Sequence, residues 1–90
     1  MRQHLLKFNY NGIDHQATFS ISDTKKPKLF IIQDFNPAIH STDLVLTVYY
    51  SSEKNNYPVC SVEPDVILNE AGTIIIALIE YCKAHDISMI

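Results

Sequence analysis

The segment Asn69–His85 carries apolar residues at the spacing of an amphipathic helix. At about 100° per residue, most of its apolar side chains share one broad arc with His85. They are Ala71, Ile74, Ile75, Leu78, Ile79, Tyr81 and Cys82. Ile76 lies among polar residues on the opposite arc. Asn69 is the expected N-cap. The isoleucine run would also suit a buried strand, so Thr73–Ile79 stays open between helix and strand.

A β-hairpin is predicted around Asn11-Gly12, because both positions of a two-residue loop need the positive φ that these residues tolerate best. The loop fixes the register of the two strands. One face is then apolar and the other polar, with Leu5 as the only apolar exception on the polar face. The predicted facing pairs are Tyr10 with Ile13, Phe8 with His15, Leu6 with Ala17, and His4 with Phe19.

Three further strands are predicted, at Leu29–Phe35, Leu44–Ser51 and Tyr57–Val62. The first is apolar at successive positions, which indicates a central strand or one at an interface, and the second is apolar on both faces. Pro58 lacks a backbone donor, so the third is expected at an edge. The sequence therefore predicts one α+β domain spanning residues 1–90. Its antiparallel sheet of about five strands forms a meander, and one C-terminal helix packs on one face.

The composition indicates more apolar surface than one small core can cover. Hydrophobic residues make up 47% of the 90 residues and charged residues 19%, below the roughly 25% charged residues typical of soluble domains. A chain this short buries only about 60–65% of the surface that its unfolded form exposes. We therefore expect a protein partner or a homodimer. The candidate contact residues are Val45, Tyr49, Ile76, Ile87 and Met89.

The charge and the hydropathy of the sequence argue against nucleic acid and against a membrane as partners. The net charge is −3 and the basic residues form no face, so binding to nucleic acid is not expected. The longest apolar run, Ile74–Ile79, is six residues, far below the roughly 20 of a membrane span. No signal peptide is evident and there are two cysteines, which favours a cytoplasmic protein with reduced thiols.

No pattern of reactive residues predicts catalysis or a cofactor. In the hairpin register His4 and His15 lie about 13 Å apart along the strands, too far to share a zinc ion. Cys82 has His85 one turn away, but no third member of a nucleophilic site is evident. The two glycines belong to no phosphate-binding loop. We expect no metal, no cofactor and no enzymatic activity.

One loop keeps a second interpretation open. Asp34, Asn36, His40 and Asp43 are the densest group of side chains able to bind a metal or polar ligand. Their spacing matches no calcium loop, and such residues also favour turns. The leading hypothesis is a small non-enzymatic protein-interaction module of the inhibitor, immunity or regulatory type that self-associates. The alternative is a domain that binds a small molecule or divalent metal through this loop.

Overall fold

The computed structural model describes residues 2–24, 27–39, 43–51, 53, 55 and 57–90. Its sheet has the order β1-β2-β3-β4-β5, with antiparallel neighbours throughout. This confirms the predicted α+β fold, a five-stranded meander with one C-terminal helix on one face. The elements are β1 (Gln3–Tyr10), β2 (Ile13–Ser22), β3 (Leu29–Asn36), β4 (Val45–Ser51), β5 (Tyr57–Glu63) and α1 (Ala71–Ala84).

The first hairpin has the predicted register, from Tyr10 opposite Ile13 to His4 opposite Phe19. Asn11 and Gly12 hold φ angles of 53° and 78°, the left-handed conformation that a two-residue loop requires. The predicted positions of the other strands in the sheet are also confirmed. β3 is the central strand, and β5 lies at an edge.

A β-bulge in β3 is a feature that the sequence pattern did not predict. Gln16 pairs with Asn36 and Thr18 with Gln33, so Ala17 alone opposes both Asp34 and Phe35. The extra residue reverses the alternation of side chains along the strand. As a result the Phe35 ring lies on the helix side, 6.4 Å from the Phe8 ring.

The core lies between the sheet and the helix. Each strand from β1 to β4 contributes alternate side chains to it, as a half-buried antiparallel sheet requires. Its fully buried members are Leu6, Ala17, Phe19, Phe30, Ile32, Leu46, Val48, Ile74, Leu78 and Cys82. The apolar arc predicted for the helix therefore supplies three of the core residues.

The helix begins later than the sequence pattern indicated. Its N-cap is Glu70, which makes no side-chain capping hydrogen bond, whereas Asn69 was the expected cap. Thr73–Ile79 is helical throughout, which excludes the strand alternative. Its 14 residues are too few to cross a membrane, and the described residues contain no other candidate helix.

The C-terminal residues fold back onto the domain. Ile87 and Met89 pack against the core, and the Ile87 N–H donates to the Cys82 carbonyl over 2.8 Å. The Lys28 ammonium donates to the Ser88 carbonyl over 2.7 Å. Ile87 and Met89 therefore contribute to the core of the chain itself, whereas Ile90 is 65% exposed.

Candidate interaction surface

The sheet face that points away from the helix divides into a polar and an apolar half. On β1 and β2 this open face carries polar side chains such as Lys7, Gln16 and Thr18, whose neighbours in the alternation are buried. On β3 to β5 it carries six apolar side chains, which we call the apolar half. They are Leu29, Ile31, Val45, Tyr49, Tyr57 and Val59.

The apolar half spans three strands, and the opposed pair Thr47 and Ser61 interrupts it on β4 and β5. Tyr49 lies directly opposite Val59, and Ile31 lies opposite Thr47. Directly opposed side chains on one face are close enough to touch. Because α1 packs on the other face of the sheet, it covers none of these side chains. The apolar half therefore consists of partly buried side chains and of the exposed Tyr57 at the edge of the sheet.

The outer edge of β5 adjoins the apolar half. In the part of the chain that the structure describes, β5 pairs only with β4, so its other edge has no partner strand. Tyr57 and Cys60 are exposed on this strand, and the stretch from Val59 to Val62 carries no charge. Natural edge strands often carry charges that prevent pairing. β1, at the opposite edge, has Lys7 in its interior, whereas β5 has a charge only at its last residue, Glu63.

The total solvent-exposed area of the chain is larger than expected for a monomer of its mass. The folded chain exposes 6019 Å², whereas a monomeric protein of 10.3 kDa is expected to expose about 5,400 Å². The difference of roughly 600 Å² approaches the ~800 Å² that each partner buries in a standard protein interface. The chain therefore exposes roughly a tenth more surface than an average monomer of its mass.

The candidate contact residues do not form one surface. Val45 and Tyr49 lie on the apolar half, both partly buried by their neighbours. Ile76 is 60% exposed on the helix, on the other side of the sheet. Tyr57 and the free edge of β5 were not among the candidates from sequence. The signal for the edge was Pro58, which predicted an edge strand without indicating whether anything covers it.

The two histidines of the hairpin have packing contacts of their own. His15 stacks on Phe8 at 5.2 Å between ring centroids, and its Nδ1 lies 3.3 Å from the Pro37 carbonyl oxygen. His4 stacks on Phe19 at 4.9 Å and shares a 3.2 Å hydrogen bond with the Tyr81 hydroxyl. His4 therefore helps to attach β1 to the last turns of α1.

We expect Tyr81→Phe to lower the free energy of unfolding by about 0.5–1.5 kcal/mol, the usual net value of one hydrogen bond. The substitution keeps the ring that packs edge-on against Phe19 at 5.2 Å and removes only the hydroxyl bonded to His4. Urea denaturation followed by circular dichroism measures the change. Tyr10→Phe on β1 is the matched control, because it also removes one tyrosine hydroxyl but leaves both the His4–Tyr81 bond and β5 unchanged. An equal effect of both substitutions would contradict a role for the His4–Tyr81 bond.

Of the four candidate ligand residues, Asp34 and Asn36 lie within β3 rather than in the loop predicted from sequence, and the loop that follows β3 is only partly described. Asp34 accepts a 3.0 Å hydrogen bond from the Thr18 hydroxyl at the bulge, while Asn36 and Asp43 are exposed. His40 lies outside the described residues. Among the residues that the structure does describe, no three histidine, cysteine or acidic side chains are grouped as a metal site requires. The arrangement of Asp34 is accounted for by the bulge.

The two cysteines occupy contrasting positions. Both are free thiols, with Cys60 exposed and Cys82 buried. Burial raises the pKa of the Cys82 thiol, with a smaller opposing effect from Lys28. Burial also raises the pKa of Tyr50, and Cys82 adds to the shift. The raised pKa keeps Cys82 as a neutral thiol, which is a poor nucleophile.

Comparison of the chain with models of protein families, with curated proteins and with solved structures found no match.

Proposed function

We propose that this protein is a non-enzymatic interaction module that self-associates as a homodimer through the side of the molecule formed by β5. The observation that carries the proposal is the unpaired edge of β5, which bears no charge before Glu63 and adjoins the apolar half of the open face. Burying apolar surface is the main favourable contribution to protein association. A second copy supplies the same surface, as the two-fold symmetry of most homodimers requires.

The exposed area supports a partner of this size. A contact that buries about 800 Å² on each copy is typical of specific complexes, and it would bring the exposed area of this chain to roughly that of a monomeric protein of the same mass. The low charge of β5 also supports the proposal. Glu63 is the only ionisable carboxylate on β5, so two copies of this surface meet without strong repulsion.

The proposal predicts that Tyr57→Glu weakens self-association at least tenfold. Tyr57 is 67% exposed and lies where the apolar half meets the β5 edge, and buried tyrosines are frequent energetic centres of interfaces. A carboxylate in its place must lose its hydration when the dimer forms. Light scattering across a concentration series measures the dissociation constant.

Ile76→Glu is the matched control for this experiment. Ile76 is 60% exposed, so the change in surface polarity is similar, but it lies on the helix and away from β5. The dimer should persist in this variant. Equal weakening by both substitutions, or by Ile76→Glu alone, would contradict the proposed location of the contact.

A further inference from the structure

We propose that two copies join edge to edge through β5. The two β5 strands pair antiparallel and extend the sheets into one of ten strands, with Cys60 of one copy directly opposite Cys60 of the other. The inference rests on the self-association proposed above and specifies the strand and the register that produce it.

The outer edge of β5 is suited to strand addition. Its interior residues Val59 to Val62 are uncharged and keep their backbone donors, while Pro58, which lacks one, lies near the start of the strand. The helix lies closest to β1, at the opposite edge of the sheet. A second sheet therefore approaches β5 without meeting a helix, whereas pairing at β1 would bring two helices together over the joint.

Symmetry and strand length together select the register. A two-fold axis perpendicular to the sheet keeps each side chain on the same face of the sheet in both copies. The residue on the axis therefore lies opposite the same residue of the other copy. β5 has seven residues, Tyr57–Glu63, and Cys60 is the central one. Centring the pairing on Cys60 engages all seven residues. Centring it on Val59 or Ser61 engages only residues 57–61 or 59–63, which is five.

The side chains opposed in this register are compatible with one another. Opposite charges or apolar pairs across a joint stabilise it, and directly opposed like charges destabilise it. Here no two like charges face each other, because each Glu63 lies opposite a tyrosine of the other copy. The facing pairs are Tyr57 with Glu63, Pro58 with Val62, Val59 with Ser61, and Cys60 with Cys60. The joint also places the two apolar halves side by side across the axis.

Disulfide formation tests the register directly. Directly opposed residues of an antiparallel pair have Cβ atoms about 4.5–5.5 Å apart, close to the span of about 3.5–4.5 Å that a disulfide bridges. Cys82 is 1% exposed, so Cys60 is the reactive thiol of the native chain. Air oxidation with copper–phenanthroline transfers two electrons and two protons from a pair of thiols to oxygen. We expect it to convert the chain to a dimer linked through Cys60.

The matched control moves the thiol by one residue. In Cys60→Ser/Ser61→Cys the new cysteine replaces an exposed residue, but it faces Val59 of the other copy. Its own counterpart lies diagonally, about 7–8 Å away, so linkage should be at least tenfold slower than in the unmodified chain. Mixing this variant with Cys60→Ser/Val59→Cys should restore rapid linkage, because residues 59 and 61 face each other in the register.

Contact through the open face is the competing arrangement, and a pair of lysine substitutions distinguishes it. Val45→Lys places a lysine opposite Glu63, and Asn9→Lys places one opposite Asp14, so each gains a favourable cross-strand pair. Edge pairing predicts that both variants remain dimers. Dissociation by Val45→Lys alone would locate the contact on the open face and overturn edge pairing.

The remaining outcomes separate the two proposals. If Tyr57→Glu disrupts the dimer but the unmodified chain does not link through Cys60, the register centred on Cys60 is wrong. The proposed interaction module is then still supported. Equal rates of linkage for cysteines at 60 and 61 would indicate random collision and overturn the register too. A chain that stays monomeric and does not link overturns both.

Discussion

Phe19→Ala is expected to lower the free energy of unfolding by about 3–5 kcal/mol, as truncation of a buried phenylalanine usually does. The Phe19 side chain is 1% exposed and joins three parts of the fold. Its ring lies 4.9 Å from that of His4, 5.2 Å from that of Tyr81 and 6.4 Å from that of Phe30. The substitution leaves a cavity between the sheet and the helix and removes all three contacts.

A loss of this size is large for a chain of 90 residues. At about 0.05–0.15 kcal/mol per residue, the whole domain is stable by roughly 5–13 kcal/mol. Urea denaturation at 25 °C measures the effect, and Leu5→Ala on the exposed face of β1 is the control. We expect the control to change stability by less than about 1 kcal/mol. A similarly small change for Phe19→Ala would contradict the placement of Phe19 at the centre of the core.

The second large effect concerns the two thiols. We expect iodoacetamide to alkylate Cys82 at least about 1,000-fold more slowly than Cys60 in the native protein. Cys82 is 1% exposed and burial raises its pKa, so both access and the thiolate fraction are low. Reaction then requires opening of the core, and an opening free energy of about 5 kcal/mol lowers the rate by more than 10³.

Mass spectrometry after limited alkylation measures the two rates separately. In 6 M guanidinium the two thiols should react at similar rates, which checks that the difference arises from the fold. Alkylation of Cys82 at a rate within tenfold of Cys60 in the native protein would contradict the packing of α1 on the sheet. Cys60→Ser isolates the slow reaction of Cys82 for this measurement.

The features of the fold that the sequence predicted correctly are those that residues close together in the chain determine. The Asn11-Gly12 loop fixed the register of the first hairpin, since few other residue pairs adopt its backbone conformation. The spacing of Ile74, Leu78 and Cys82 predicted the buried arc of the helix. Pro58 predicted the edge position of β5, because proline cannot donate to a second strand.

The features that the sequence did not predict depend on contacts between segments that are far apart in the chain. The bulge at Asp34 brings Phe35 to the helix side, and no periodicity in β3 indicates the extra residue. Ile87 and Met89 were candidate contact residues, and the sequence did not indicate that they pack against the chain's own core. The Tyr57 end of the apolar half was missed, because exposure at a sheet edge depends on which strands the topology brings together.

Sedimentation equilibrium of the unmodified chain over about 5–200 µM tests whether β5 forms a contact between two copies. The proposal predicts a mass that rises with concentration from that of the 10.3 kDa chain towards twice that value, and it predicts that Tyr57→Glu suppresses the rise. A mass that stays at 10.3 kDa across the whole range would contradict the proposal.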